Sequence, residues 1–164
     1  MGKLLRGVRA KWLSFDGEKW TLIGKDMDSE STNLNPDTEQ KKNILGEAYF
    51  NHNGFTPESD IEYKARTEDA IYKNLQEIVD ELKTDEPSIT AQMIVATLNE
   101  EVKNSDTTTL TGTGYKVPVC VVPQDDGGDT SGYTINFNCY ESGGRTKGTV
   151  SVTGRTPTFT AATE

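Results

Sequence analysis

The sequence predicts a mainly β protein, a β-sandwich or flattened barrel carrying one packed α-helix. Tyr115, Val117, Val119 and Val121 recur at every second position, and Tyr133, Ile135, Phe137 and Cys139 do the same, which is the period of a half-buried strand. One stretch alone, Thr67 to Lys83, places Ile71, Leu75, Ile78 and Leu82 at helical spacing. Clusters such as QDDGGDTSG and ESGGRTKG punctuate the strands with turn-forming residues. A chain of 164 residues and 18.0 kDa suits a single domain, 1–164, built on one core.

From the N-terminus, KWLSFDGEKWTLI reads as a β-hairpin about Asp16-Gly17, with Leu13, Phe15, Trp20 and Leu22 on one face. Residues 24–46 are polar and read as a long irregular loop, exceeding the roughly 12–15 residues usual for a structureless connection. Short strands at Ala48–Phe50 and Ile61–Ala65 flank an Asn53-Gly54 turn and Pro57. Thr67 can cap the helix, Glu68 and Asp69 complement its dipole, and Pro87 blocks its continuation. The apolar stripe Ile71, Leu75, Ile78 and Leu82 must then lie on the sheet. Ile89–Val102 fits a long strand by its apolar run, although Leu98-Asn99-Glu100-Glu101 would tolerate helix, and the β-segment that follows favours the strand; residues 103–114 read as an extended hairpin loop. Pro118 points to an edge or a bulge. Val150 and Val152 mark a last strand, and TPTFTAATE reads as a loose tail.

The hydrophobic fraction, 33%, is low for a compact monomer, which indicates solvated loops or surface reserved for partners. The net charge of −9 repels phosphates and disfavours DNA binding through a basic stripe. No apolar run approaches the roughly 18 residues of a membrane span, and MGKLLRGVRAKWLSF lacks a signal-peptide core, so residence in the cytoplasm is expected. Cys120 and Cys139 lie in strand-like segments and read as reduced core thiols.

Catalytic patterns are missing. His52, the only histidine, sits in NHNG, which reads as a solvated turn. Gly112-Thr113-Gly114 starts a dinucleotide-like pattern but Val117 stands where glycine is needed, and GGRTKG lacks Walker spacing. Asp26, Asp28 and Glu30 have calcium-loop spacing, yet Ser31 occupies the position that needs glycine. No cofactor and no enzymatic activity are expected.

Three segments then carry a resemblance. TNLNPDTEQKKNILGE, NGFTPESDIEYKARTEDAIYKNLQEIVD and DGGDTSGYTINFNCYESGGRTKGT resemble, in order and spacing, the tail tube proteins (major tail proteins) of long-tailed phages and prophages of Gram-positive bacteria. The likeness covers roughly residues 30 to 160 and departs between Thr84 and Gly114. It implies a virion protein, assembled in the host cytoplasm, that closes into hexameric rings stacked around a DNA channel. It also implies contacts with a tape measure protein, a tail terminator and baseplate or distal tail proteins, with DNA passing unbound. Loop 24–46 is then the candidate assembly arm, with Asp26, Asp28, Asn33, Leu34, Asn35, Pro36, Asp37 and Thr38 as candidate contacts. Loop 103–114 supplies a second set, Asn104, Asp106, Thr108 and Leu110. Deleting 26–43 is expected to leave a folded monomer. The alternative is a carbohydrate-binding β-sandwich in which Trp12, Trp20, Tyr115, Tyr133 and Tyr140 stack on sugars.

Overall fold

The computed structural model describes residues 9–23, 27–104, 107–130, 132–154 and 156–163. Along the chain lie β1 (Arg9–Ser14), β2 (Thr21–Ile23), β3 (Met27–Asn33), β4 (Pro36–Lys42), β5 (Ala48–Phe55), β6 (Glu58–Lys64), α1 (Ala70–Glu81), α2 (Glu86–Ile89), β7 (Thr90–Asn104), β8 (Thr107–Asp129), β9 (Gly132–Glu141), β10 (Thr146–Thr153) and β11 (Thr156–Ala161). The protein is mainly β, as its alternating segments require. One antiparallel sheet runs β2-β1-β7-β8-β9-β6-β3, and β10 branches from β8 and carries β11. β4 and β5 form a separate two-stranded sheet.

The main sheet curls. Val117, Val119, Val121, Ile135, Phe137, Ile61, Tyr63, Met93, Val95 and Leu13 share its concave face with Ile71 and Leu75 of α1, all in one buried cluster. The curl brings distant strands together: Lys11 Nζ on β1 donates to Thr32 Oγ1 on β3 at 2.5 Å, although four strands, β7, β8, β9 and β6, lie between them in sheet order. A second, smaller cluster lies behind the first half of the sheet, where Trp12, Ile94 and Ala96 meet Val150 and Val152.

β8 explains the branching. On one side it pairs with β7 from Thr107 to Cys120. On the other it pairs with β10 up to Lys116, then with β9 from Val119 onward. Pro118 stands at this change of neighbour. Its carbonyl accepts from the Ser142 N–H at 2.9 Å, and its nitrogen, having no hydrogen to offer, faces the same gap in the ladder. Pro118 therefore sits inside the sheet at a place where a missing donor costs no strand pairing. The link from β9 to β10 is clamped beside it, with Arg145 donating to Glu141 through Nε (2.7 Å) and Nη2 (2.9 Å) and lying 4.2 Å from the Tyr115 ring centroid.

Several expectations need correction. The helix begins at Ala70 with Asp69 as its N-cap residue, so Thr67 lies outside it. It ends at Glu81: Leu82 adopts a left-handed conformation (φ 52°) and is 81% exposed, so it leaves the stripe that Ile71, Leu75 and Ile78 complete. Most of the expected loop 24–46 is strand: from Met27 onward β3 joins the main sheet beside β6 and β4 pairs with β5, while 24–26 lie outside the described residues. Of the expected loop 103–114, Lys103, Asn104 and residues 107–114 continue the β7–β8 ladder, from Asn104↔Thr107 to Ala96↔Gly114, and 105–106 lie outside the described residues. Asn53-Gly54 is a bulge within β5, with Asp37 opposite Gly54 and Thr38 opposite His52. The tail forms β11 and pairs with β10. In the first hairpin Trp12 pairs with Leu22 and Leu13 with Thr21, so Leu13 faces the concave core while Trp12, Trp20 and Leu22 face the second cluster. Cys139 is buried on the concave face; Cys120, one register step away opposite Tyr140, points the other way.

The β1–β2 connection rests on one carboxylate. Asp16 Oδ1 accepts from the backbone N–H of Lys19 (2.8 Å) and Glu18 (2.9 Å) and from the Ser14 hydroxyl (2.9 Å). The two backbone donors, then the hydroxyl, lower its pKa from 3.8 to about 2. A depressed carboxyl stabilises the fold above its unfolded pKa and loses that contribution as pH falls from 3.8 to about 2. Asp16→Ala is expected to cost about 1 kcal/mol or less at pH 7, given the exposure of the site, and clearly less at pH 2, where the native carboxyl is about half protonated. Thermal unfolding of both proteins at the two pH values checks this.

Candidate assembly surface

Two strands cannot bury a core between them, and an isolated hairpin is marginal in water. The β4–β5 arm is in that position. Every residue from 36 to 55 is exposed except half-buried Glu39 and Gly54. Yet the arm and its base carry Leu34, Ile44, Leu45, Tyr49, Phe50 and Phe55 in the open, among the few large hydrophobic side chains that the described surface shows. Phe50, His52 and Phe55 form a row, with centroids 6.5 Å apart for the first pair and 4.6 Å for the second. His52 is thus a member of an exposed aromatic row, and its Nδ1 accepts from the Gly54 N–H at 3.1 Å.

The arm is nonetheless locally ordered. At its tip Asn43 Oδ1 accepts from the Leu45 N–H (3.0 Å) and the Glu47 N–H (2.9 Å), and Asn43 Nδ2 donates to Glu47. Gly46 takes φ 80°, closing the turn at no steric cost. At the base the Thr56 N–H donates to the Leu34 carbonyl at 3.1 Å, and Asn35 (φ 46°) donates from Nδ2 to the Thr56 carbonyl at 3.0 Å. The ends of the arm therefore meet at Leu34 and Thr56.

The sequence-predicted contacts fall as follows. Asn33 closes β3, where Nδ2 donates to Asp60 at 3.4 Å. Leu34 and Asn35 form the base, and Pro36, Asp37 and Thr38 open β4. Asp28 lies in β3, of which only the backbone is described at that position, and Asp26 lies outside the described residues. Thr108 and Leu110 lie on β8, paired with Lys103 and Glu101, and Leu110 is 38% exposed. Asn104 ends β7, with only its backbone described, and Asp106 lies outside the described residues. The structure thus gathers the 33–38 set at the foot of one arm and leaves the other set on a separate hairpin. Sequence reasoning passed over Ile44, Leu45, Tyr49, Phe50 and Phe55. The signal was present in KKNILGE, two aliphatic residues at a turn apex between charges.

A second surface is polar. The back of β6 and β9, opposite the concave core, carries Glu58, Asp60, Glu62 and Lys64 beside Tyr140, Asn138, Asn136 and Thr134 in register. Glu58 accepts from Asn138 Nδ2 at 2.8 Å. Among the described residues no buried apolar cluster lies on this face, since the second cluster takes nothing from β6 or β9. Three carboxylates against one lysine make it electronegative.

The aromatic residues considered for sugar stacking are dispersed. Trp12 is buried in the second cluster, Tyr115 lies under Arg145, and Tyr133 packs on the concave core. The Tyr133 hydroxyl donates to Asp126 at 2.6 Å, and burial followed by that bond pushes its pKa up to about 12. Among the described residues no helix is long and apolar enough to cross a membrane. Compared with known proteins, the chain matches no protein-family model and no curated protein.

Proposed function

We propose that the chain is the tube-forming subunit of a long phage tail, a structural and non-catalytic virion protein that polymerises as stacked hexameric rings around a DNA channel. The observation that carries this reading is the β4–β5 arm, which holds exposed aromatic and aliphatic residues on a hairpin with no core of its own. Such an arm gains its burial from another molecule. Edge strands β2 and β3 offer further backbone pairing to neighbours, which a monomer would have to protect. Rings need heterologous contacts that close and a tube needs contacts that continue, so one subunit must present several unlike surfaces. The tape measure protein, the tail terminator and baseplate or distal tail proteins complete the set of partners, as the resemblance implies.

In this reading the electronegative back of β6 and β9 lines the channel. Resting phosphates are repelled there, which lets DNA slide. Tubes of the triple variant Glu58→Lys, Asp60→Lys, Glu62→Lys are expected to retain duplex DNA at low salt and release it as salt rises, whereas the parent retains none. Equal retention by both would remove this face from the lumen. The assignment itself is tested by negative-stain microscopy of the concentrated chain, alone and seeded with tail-tip components. Annular or tubular particles are expected; persistent monomers under both conditions would refute it.

A further inference from the structure

We propose that Ile44 and Leu45, at the tip of the β4–β5 arm, seat in the apolar groove beside the C-terminal end of α1 in a second copy of this chain. The proposal rests on the assembly reading above and specifies which surfaces meet. The knob is pre-shaped: Ile44 is 100% exposed and Leu45 80% exposed, and the Asn43 hydrogen bonds fix the turn that presents them. Little ordering entropy is then lost on docking.

The hole is a groove of about 460 Å³ walled by Val79, Leu82, Ile89, Val122 and Pro123. That size holds two aliphatic side chains with their flanking backbone. It lies beyond the start of β7: the first residue of that strand, Thr90, pairs with Cys120, and past it β8 continues to Asp129 with strand pairing only to β9 among the described residues. One backbone edge of β8 therefore borders the groove without a strand partner.

Leu82 is the second, independent observation. It takes the left-handed C-cap conformation (φ 52°) where glycine or asparagine sits without strain, and it holds an aliphatic side chain 81% in solvent. Helix stability gains nothing from leucine there. Contact with a partner would.

Charge selects the occupant. Asp125 and Asp126 stand at the groove and Lys42 precedes the knob, and none of the three is in an ion pair among the described residues, while Glu47 on the far side of the turn already accepts from Asn43 Nδ2 at 2.7 Å. Lys83, also at the groove, is already held by Glu77 at 2.7 Å and Glu81 at 3.4 Å. An aliphatic tip with a free lysine on its β4 side thus matches an acid-rimmed apolar groove, and both belong to this chain. Knob and hole at different places on one chain join copies head to tail, the contact that builds rings and filaments.

A photo-crosslinking amino acid at position 45, in full-length chain mixed with isotope-labelled parent, tests the contact. Crosslinks from the tip to peptides 78–89 or 121–126 of a different copy are expected in assembled particles. Crosslinks elsewhere, or only within one copy, would overturn the docking while leaving the assembly reading intact. Failure to form any particle would overturn both. Leu82→Gly supplies an independent check with opposite signs: the monomer's thermal midpoint should rise or hold, while the concentration for half-assembly should rise about tenfold. Unchanged assembly in Leu82→Gly would also overturn the contact.

Discussion

Excising residues 36–55 and closing Asn35 to Thr56 with an Asn-Gly turn is expected to leave a folded chain that no longer polymerises. The junction favours it, because Thr56 N–H already bonds the Leu34 carbonyl at 3.1 Å across the base of the arm. Nothing in either buried cluster comes from 36–55, so both cores keep all their side chains. The thermal midpoint should move by no more than about 3 °C, the shift that about 1 kcal/mol produces in a domain of this size. Light scattering at concentrations where the parent assembles should show monomer alone. Deleting 26–43, the span the sequence suggests, is a poorer test. It removes β3, which pairs with β6 from Thr32↔Ser59 to Met27↔Tyr63, and so damages the main sheet together with the arm.

The second large effect is expected at Gly114. A Cβ there would lie 2.0 Å from the Val95 carbonyl oxygen and 2.7 Å from the Ala96 Cα, both backbone atoms that cannot rotate away. Gly112, two residues earlier, is as crowded, with the Thr97 oxygen 1.8 Å from its would-be Cβ. These glycines let β8 press against β7 just before β8 changes its other neighbour from β10 to β9. Gly114→Val must push those strands apart at a point between the two cores. The expected loss is about 4 kcal/mol or more, a large share of the roughly 5–15 kcal/mol that holds a domain together. Gly127→Ala on the same strand is the control, since nothing lies within 4 Å of its added methyl. Urea unfolding should separate the two sharply. A loss below about 1 kcal/mol in Gly114→Val would show that the close approach is not a constraint.

What the sequence revealed follows from where apolar side chains had one buried face. Ile71, Leu75 and Ile78 declared the helix because only one side of it meets the sheet. Val117–Val121 and Ile135–Cys139 declared their strands because their other faces stay polar or mixed. The reading failed where that contrast is missing. Trp12 and Leu13 are both buried, on opposite sides of β1, so alternation could not assign their faces. β4 has no buried face, so PDTEQKK carries no periodicity, and its strand character comes from backbone pairing to β5. Leu82 kept the helical interval after the helix had ended, and spacing alone could not show that its backbone turns left-handed. For the assembly surface, the polar foot of the arm, Asn33 to Thr38, was visible as an unusually long polar run. The aliphatic tip and aromatic row were not, since isolated apolar residues read as core until their neighbours are known.

Hydrogen exchange in the arm tests most directly whether only other copies bury it. In dilute monomer, amides of 36–55 should exchange much faster than those of β7, β8 and β9, because a two-stranded hairpin opens readily. In assembled particles the same amides should become protected by a factor of about a hundred or more, with the core strands little changed. An arm that exchanges equally fast in both states, or is already protected in the monomer, would contradict the account.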